Sequence, residues 1–393
     1  MTTTSKLRTL HNPNDTRSST LPIDEDEFFT LEDLISVGKN AAQRSLDRLL
    51  AEMDELMREN KWEDVVAISF PVELKVPELI KHGLDNAVRA KVAFALGQLK
   101  RFDEAIKELS ICVRKEPDNF RFHSSLAYTA YNSLYAAANR EIFLRGAARK
   151  ERIELAHTHF KMAQKLRPGG VTNFYREGML NKQIERKSTE ALPYFEKAVS
   201  NWTDMSREDK EAGHRERKNF IKALYQLAGC LLTDGPAKKA LAVIKQCLSE
   251  DENSNYVSPV FNYFALGKVH FHLNAFQAAQ DALVVAAQCE GMHPKDFVYE
   301  LLARTYLAMG KPSVGLEVIE KVPDEKRRPY YRWSEADIHC TFKEFDQARQ
   351  ILLKSQERDH RSRHKTLIRL TKIEYLLKNF DEAEGYAAAA DRF

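Results

Sequence analysis

Between Ser258 and Gly291 the apolar positions fall into two runs with helical spacing. Tyr263, Leu266, Gly267, His270 and Leu273 recur at intervals of three, four and seven, which places them on one face of a first helix. Asn274-Ala275 supplies a turn, and Phe276, Ala279, Leu283 and Ala286 repeat the pattern on a second helix. Ser258 suits the cap of the first helix and Pro259 its first turn, where no intrahelical N–H bond is needed. Small residues at Gly267 and Ala279 let the two backbones approach to the roughly 8–10 Å of packed helices. The stretch predicts a pair of antiparallel helices.

The same pairing recurs along the chain when each unit is anchored on the small or β-branched residue early in its second helix. Val65, Ala105, Ala156, Ala191, Ala240, Ala279, Gly315, Ala348 and Ala383 then mark nine hairpins, spaced by 40, 51, 35, 49, 39, 36, 33 and 35 residues. RFDEAIKELSICVRKEP at 101–117, ELAHTHFKMAQKLRP at 154–168 and NFDEAEGYAAAA at 379–390 are the clearest second helices. The early spacings carry insertions. Phe122 to Arg152 reads as one long first helix with an extended turn, and SREDKEAGHRERKN before Phe220 reads as a charged linker. The first unit, with Ser69 and Pro71 where its second helix should continue, is degenerate, and Pro323 shortens another.

This constellation resembles the tetratricopeptide repeat, in which Leu, Gly, Tyr, then Ala, Phe and Ala recur over about 34 residues. Tyr263, Leu266, Gly267 and Ala279 match, His270 stands where the family has Tyr, and Leu283 where it has Phe. The resemblance covers residues from about 45 to 390. It implies an all-α fold, a right-handed superhelical solenoid of eight or nine antiparallel helical hairpins. The expected organisation is a disordered N-terminal tail over 1–30, a degenerate hairpin or cap over 31–85, and the solenoid over 86–393, most regular over 258–393.

Composition narrows the function. A net charge of +3 with 30% charged residues is far from the balance of a dedicated nucleic-acid binder. The five cysteines, Cys112, Cys230, Cys247, Cys289 and Cys340, stand singly on predicted helices without framework spacing, which points to a reducing compartment. No apolar leader and no membrane-length apolar run is visible, so a cytoplasmic location is expected. Residues 1–20 lack the apolar side chains needed to offset ordering entropy. Asp24 to Glu27 beside Phe28 and Phe29 form either the acidic start of a helix or an acidic-aromatic recognition segment.

Phosphate cradles and nucleophile elbows of the Gly-rich kind do not occur, and an all-helical chain lacks the strand-to-helix turn they require. The histidine pairs His157/His159 and His270/His272 are two residues apart and point away from each other on a helix. His360 and His364 have metal-compatible spacing but sit among cations. No catalytic residue, cofactor or metal is therefore expected.

In the family, first helices line a binding groove, and transferring its exposed positions residue by residue implies a partner-binding set. Phe261, Phe264, Lys268, Phe271 and His272 come from one hairpin; Phe297, Glu300, Arg304 and Leu307 from the next; Tyr330, Trp333, Asp337 and Cys340 from the third; Lys365, Ile368, Lys372 and Tyr375 from the last. Phe264, Phe271, Tyr330 and Trp333 would be apolar anchors, with Lys268, Arg304 and Lys372 selecting acidic side chains. The Lys/Asn carboxylate clamp of some members is broken, since Glu300, Arg304 and Ser334 replace its first two repeats. The expectation is a non-catalytic interaction scaffold or adaptor for a protein or peptide partner of acidic-aromatic character. Self-association through the N-terminal segment or the C-terminal helix is also open.

Two other readings remain. Basic clusters at Arg145/Arg149/Lys150/Arg152, Arg215/Arg217/Lys218, Lys326/Arg327/Arg328 and Arg358/Arg361/Arg363/Lys365 would align along an inter-repeat edge able to track single-stranded RNA. A peptide-sensing regulator is the third reading.

Overall fold

The computed structural model describes residues 31–290, 295–358 and 362–392, of 31–34 and 358 the backbone only. The N-terminal tail, the acidic-aromatic run Asp24 to Phe29, and His360 and Arg361 lie outside the described residues. The described residues form helices and turns without a strand, and they divide into two compact units, one ending at Ala95 and one beginning at Leu96.

In the first unit α1 (Leu31–Arg58) packs against α2 (Trp62–Ser69). The helix α2 stops after eight residues because Phe70 is extended and Pro71 follows; α3 (Val72–Lys75) and α4 (Pro77–Lys81) then fold back, with α4 touching α1. In the following α5 (Asn86–Gln98), the buried Arg89 guanidinium binds the buried Asp85 carboxylate at 2.6 Å and Glu73 at 2.9 Å.

The second unit opens with α6 (Phe102–Lys115) and continues as hairpins, α7 (Phe120–Ala138) with α8 (Gly146–Leu166) and α9 (Thr172–Met179) with α10 (Ser188–Asp204). After the short α11 (Arg207–Ala212) come α12 (His214–Asp234) with α13 (Ala237–Asp251), α14 (Pro259–His272) with α15 (Phe276–Gln288), and α16 (Asp296–Ala308) with α17 (Pro312–Glu320). The last pairs are α18 (Pro329–Thr341) with α19 (Phe345–Arg358) and α20 (Arg363–Leu376) with α21 (Phe380–Asp391). Each second helix packs on the next first helix, as α13 on α14, α15 on α16 and α19 on α20. This is an all-α solenoid of the tetratricopeptide kind, in which contacts run between neighbours.

The sequence anchors fall in register. Val65, Ala105, Ala191, Ala240, Ala279, Gly315, Ala348 and Ala383 are each buried at the fourth residue of their helix. Small residues of the first helices stand opposite two of them: a Cβ on Gly267 would lie 3.3 Å from the Ala279 carbonyl oxygen, and one on Gly315 3.1 Å from that of Ala303. The turns recur too: Asn274 has φ 57°, and the Ala275 N–H reaches back to the His270 carbonyl at 2.9 Å. Lys343 and Lys378, at φ 64° and 66°, repeat that left-handed helix ending.

Ala156 is the exception, because α8 begins ten residues before it. The expected single long first helix is corrected: the insertion is shared between a 19-residue α7 and an N-terminally extended α8. The charged stretch before Phe220 is likewise helix rather than linker, forming α11 and the first turns of α12. Its Glu216 Oε2 accepts the N–H groups of Val171 and Thr172 at 2.8 Å each, tying α12 to the start of α9. Ser258 occupies the position before α14 but its side chain makes no capping bond. Buried Asp251 instead holds the loop that leads into α14, accepting from the N–H groups of Tyr256 at 2.7 Å and Val257 at 2.8 Å.

Candidate ligand-binding face on the first helices

The implied groove residues come from α14, α16, α18 and α20, and the structure joins several of them to one another. Phe261 stacks on Phe297 with ring centroids 5.7 Å apart, and Phe264 meets Phe297 edge-on at 4.7 Å. Phe271 lies against Phe276 at 5.6 Å, and Arg304 covers the Phe271 ring at 5.0 Å. The Tyr330 hydroxyl donates to Asp296 Oδ2 at 2.5 Å, and Trp333 Nε1–H to Thr366 Oγ1 at 2.8 Å. Asp337 accepts from Arg369 at 3.3 Å, while Arg369 also covers Trp333 at 5.2 Å. These aromatic side chains are half-buried and serve as joints between successive first helices.

The exposed part of the face is cationic and apolar. Lys268, Arg304 and Lys372 reach solvent, Arg304 with a 3.6 Å contact to Glu300 within its own helix besides the Phe271 ring. Burial raises the Glu300 pKa, and Ser334 donates to its carboxylate at 2.6 Å. On α20, Lys365, Ile368, Lys372 and Tyr375 follow each other at spacings of three, four and three and share one side of the helix. Ile368 is 58% exposed and Tyr375 63%, so two large apolar side chains stand exposed on that one side.

Several cations of the basic clusters have local partners. Arg152 pairs with Asp103, Arg149 donates to the Ile184 carbonyl at 2.9 Å, and Arg217 donates to the Glu250 carbonyl at 3.1 Å. Arg327 binds Glu335 at 2.7 Å, and Arg328 lies 3.4 Å from Asp296. These cations of the clusters are thus engaged locally.

The two histidines of α8 have separate surroundings. His157 bridges Glu177 at 3.0 Å and Glu185 at 2.7 Å, and the bond to Glu177 raises its pKa above 6.5. His159 Nδ1 lies 2.8 Å from His123 Nδ1, and burial with the neighbouring His123 pushes its pKa down to about 4. As pH falls from 6.5 to about 4 the unfolded chain binds the His159 proton first, so the stabilisation present above 6.5 is lost across that window. The His157 contribution has the opposite sign: it is complete below 6.5 and is lost as pH rises through the raised value. Replacing His159 with Asn is expected to flatten the acid limb of the urea midpoint against pH, and His157→Gln the alkaline limb. Unchanged limbs would refute the assignment. Among the described residues no group of three His, Cys, Asp or Glu could hold a metal ion.

One concave cluster was missed by the groove transfer. Tyr128, Tyr131 and Tyr135 on α7 face Arg176 of α9 and Arg215, Lys218 and Lys222 of α12 around a cavity of about 380 Å3. Its sequence signal was two stripes of the same helical spacing, three then four, at 128/131/135 and 215/218/222.

Among solved structures the chain is similar to the apo form of RapI, at 12% identity over 92% of this chain and 98% of that one, with a TM-score of 0.54. A tetratricopeptide repeat protein from Parabacteroides merdae ATCC 43184 aligns at 14% identity over 76% and 99% of the two chains, with a TM-score of 0.48. No protein-family model matches the chain. None of the curated proteins matches it either. At such identity the likeness to RapI concerns the fold. Among the described residues no helix is long and apolar enough to cross a membrane.

Proposed function

We propose that the chain is a non-catalytic interaction module that holds an acidic-aromatic peptide or helix along the first helices α14, α16, α18 and α20. The observation that carries this reading is the exposed Lys365–Ile368–Lys372–Tyr375 stripe, with Lys268 and Arg304 on the preceding first helices. Apolar side chains of the ligand cover Ile368 and Tyr375, and its carboxylates meet the cations. Phe261, Phe264, Phe271, Tyr330, Trp333 and Asp337 support the surface from beneath, through the joints described above.

The chain's own run Asp24 to Phe29 has the required chemistry and is one candidate occupant. A labelled peptide of residues 21–30 is expected to bind a variant lacking residues 1–30 more tightly than the full chain, by anisotropy, because the tethered copy competes. Equal affinities would remove the internal ligand.

A further inference from the structure

The tyrosine and cation cavity between α7, α9 and α12 has a different chemistry and shares no residue with the face proposed above. One wall is aromatic: Tyr128 and Tyr131 stack at 6.3 Å, Tyr131 and Tyr135 stand 6.3 Å apart, and Tyr135 is 46% exposed. Four cations line the same cavity. Arg176 rests 3.6 Å above the Tyr128 ring, which fixes its guanidinium on the wall. Arg215 and Lys218 are exposed at the rim, and Lys222 is half-buried.

These charges are poorly compensated. No carboxylate lines the cavity among the described residues. Glu216, the carboxylate that favours the charged form of Arg176, spends its Oε2 on the backbone of Val171 and Thr172. Burial and Lys218 lower the pKa of Lys222; burial, opposed by Tyr128 and reinforced by Arg215, pulls that of Arg176 down to about 10. An anion in the cavity would relieve both.

The size and the rings say which anion. About 380 Å3 lies within the roughly 300–1,000 Å3 of small-molecule sites and exceeds what a bare oxyanion fills. A carboxylate brings one charge, whereas a phosphate monoester brings nearly two and several strong acceptors. A flat base suits an exposed tyrosine ring, since every base has a face to stack.

We propose that this cavity binds a nucleotide, its base against Tyr135 and its phosphate among Arg176, Arg215, Lys218 and Lys222. The same chemistry comes either as a free mononucleotide or as the 5′ end of a strand. Isothermal titration of the full chain with AMP, adenosine, orthophosphate, a phosphotyrosine peptide, and an RNA hexamer with and without its 5′ phosphate separates these. AMP or the phosphorylated hexamer is expected to bind, the tighter of the two naming the source. Adenosine and the 5′-hydroxyl hexamer should each be at least about tenfold weaker than their phosphorylated counterparts. Arg215→Glu with Lys218→Glu, both at exposed positions, should cost about tenfold or more, and Tyr135→Ala about fivefold or more, with helical circular dichroism unchanged.

The proposal is overturned if neither nucleotide form binds, if orthophosphate or the phosphopeptide binds as tightly, or if the charge-reversed variant binds as the wild type does. None of these results bears on the face of α14 to α20.

Discussion

Gly267→Ala is expected to lower the unfolding free energy by about 1–3 kcal/mol, and Gly267→Val by more. A Cβ there would lie 2.6 Å from Leu283 Cγ and 3.3 Å from the Ala279 carbonyl oxygen, and Leu283 is fully buried. Moving Leu283 means moving a core that neighbouring hairpins share. Gly178 makes a similar contact two hairpins earlier, where a Cβ would lie 2.6 Å from the buried Phe195 ring. Gly385 in α21 is the control, having no atom within 4 Å of an added Cβ. There alanine should stabilise by about 0.5–1 kcal/mol, since glycine loses more backbone freedom on folding. Urea denaturation of the three alanine variants checks the set; loss of stability at Gly385 equal to that at Gly267 would refute the close-packing account.

Reversing the charge of the face has the second large effect. Lys268→Glu, Arg304→Glu and Lys372→Glu together should weaken an acidic-aromatic ligand by about a hundredfold, as each cation lost also places a like charge opposite the ligand. Ile368→Glu with Tyr375→Glu should cost at least about thirtyfold, the loss of apolar anchors worth roughly 2 kcal/mol or more. These five side chains suit the experiment because they reach solvent. Truncating Phe264, Tyr330 and Trp333 would instead remove inter-helix joints and confuse lost binding with lost folding. Folding controls on each variant, with binding measured by anisotropy, separate the two.

The hairpins were legible because one small residue per unit, repeated with helical spacing, is required wherever two backbones cross closely. Ala240, Ala279, Gly315, Ala348 and Ala383 set the register for the whole C-terminal half. The misjudged stretches, 122–152 and 206–219, are insertions whose helix ends the repeat pattern does not set. A π-helical turn at Leu180–Glu185 makes Gly178 and Phe195 seventeen residues apart, against sixteen for Gly267 and Leu283, so the fixed spacing hid their equivalence. The loop before α14 is held by Asp251, seven residues before Ser258, which no local capping pattern reveals.

For the candidate site, the first-helix positions of Lys268, Arg304, Ile368, Lys372 and Tyr375 followed from the resemblance to the repeat family, and these side chains reach solvent. Exposure of the other aromatics depends on the neighbouring hairpin, which periodicity within one helix does not describe. Phe297 fills the space beside both Phe261 and Phe264. The tyrosine cavity needed three helices to be seen together, since α7, α9 and α12 each contribute only part of it.

The most direct test of the proposed face is photo-crosslinking with the peptide of residues 21–30 carrying a photoreactive phenylalanine analogue at the position of Phe28, mapped by mass spectrometry. The account predicts crosslinks on α16, α18 and α20, centred on Arg304, Ile368 and Tyr375 and abolished by the triple charge reversal. Crosslinks confined to the second helices, or to the cation clusters around Arg149 and Arg327, would contradict it.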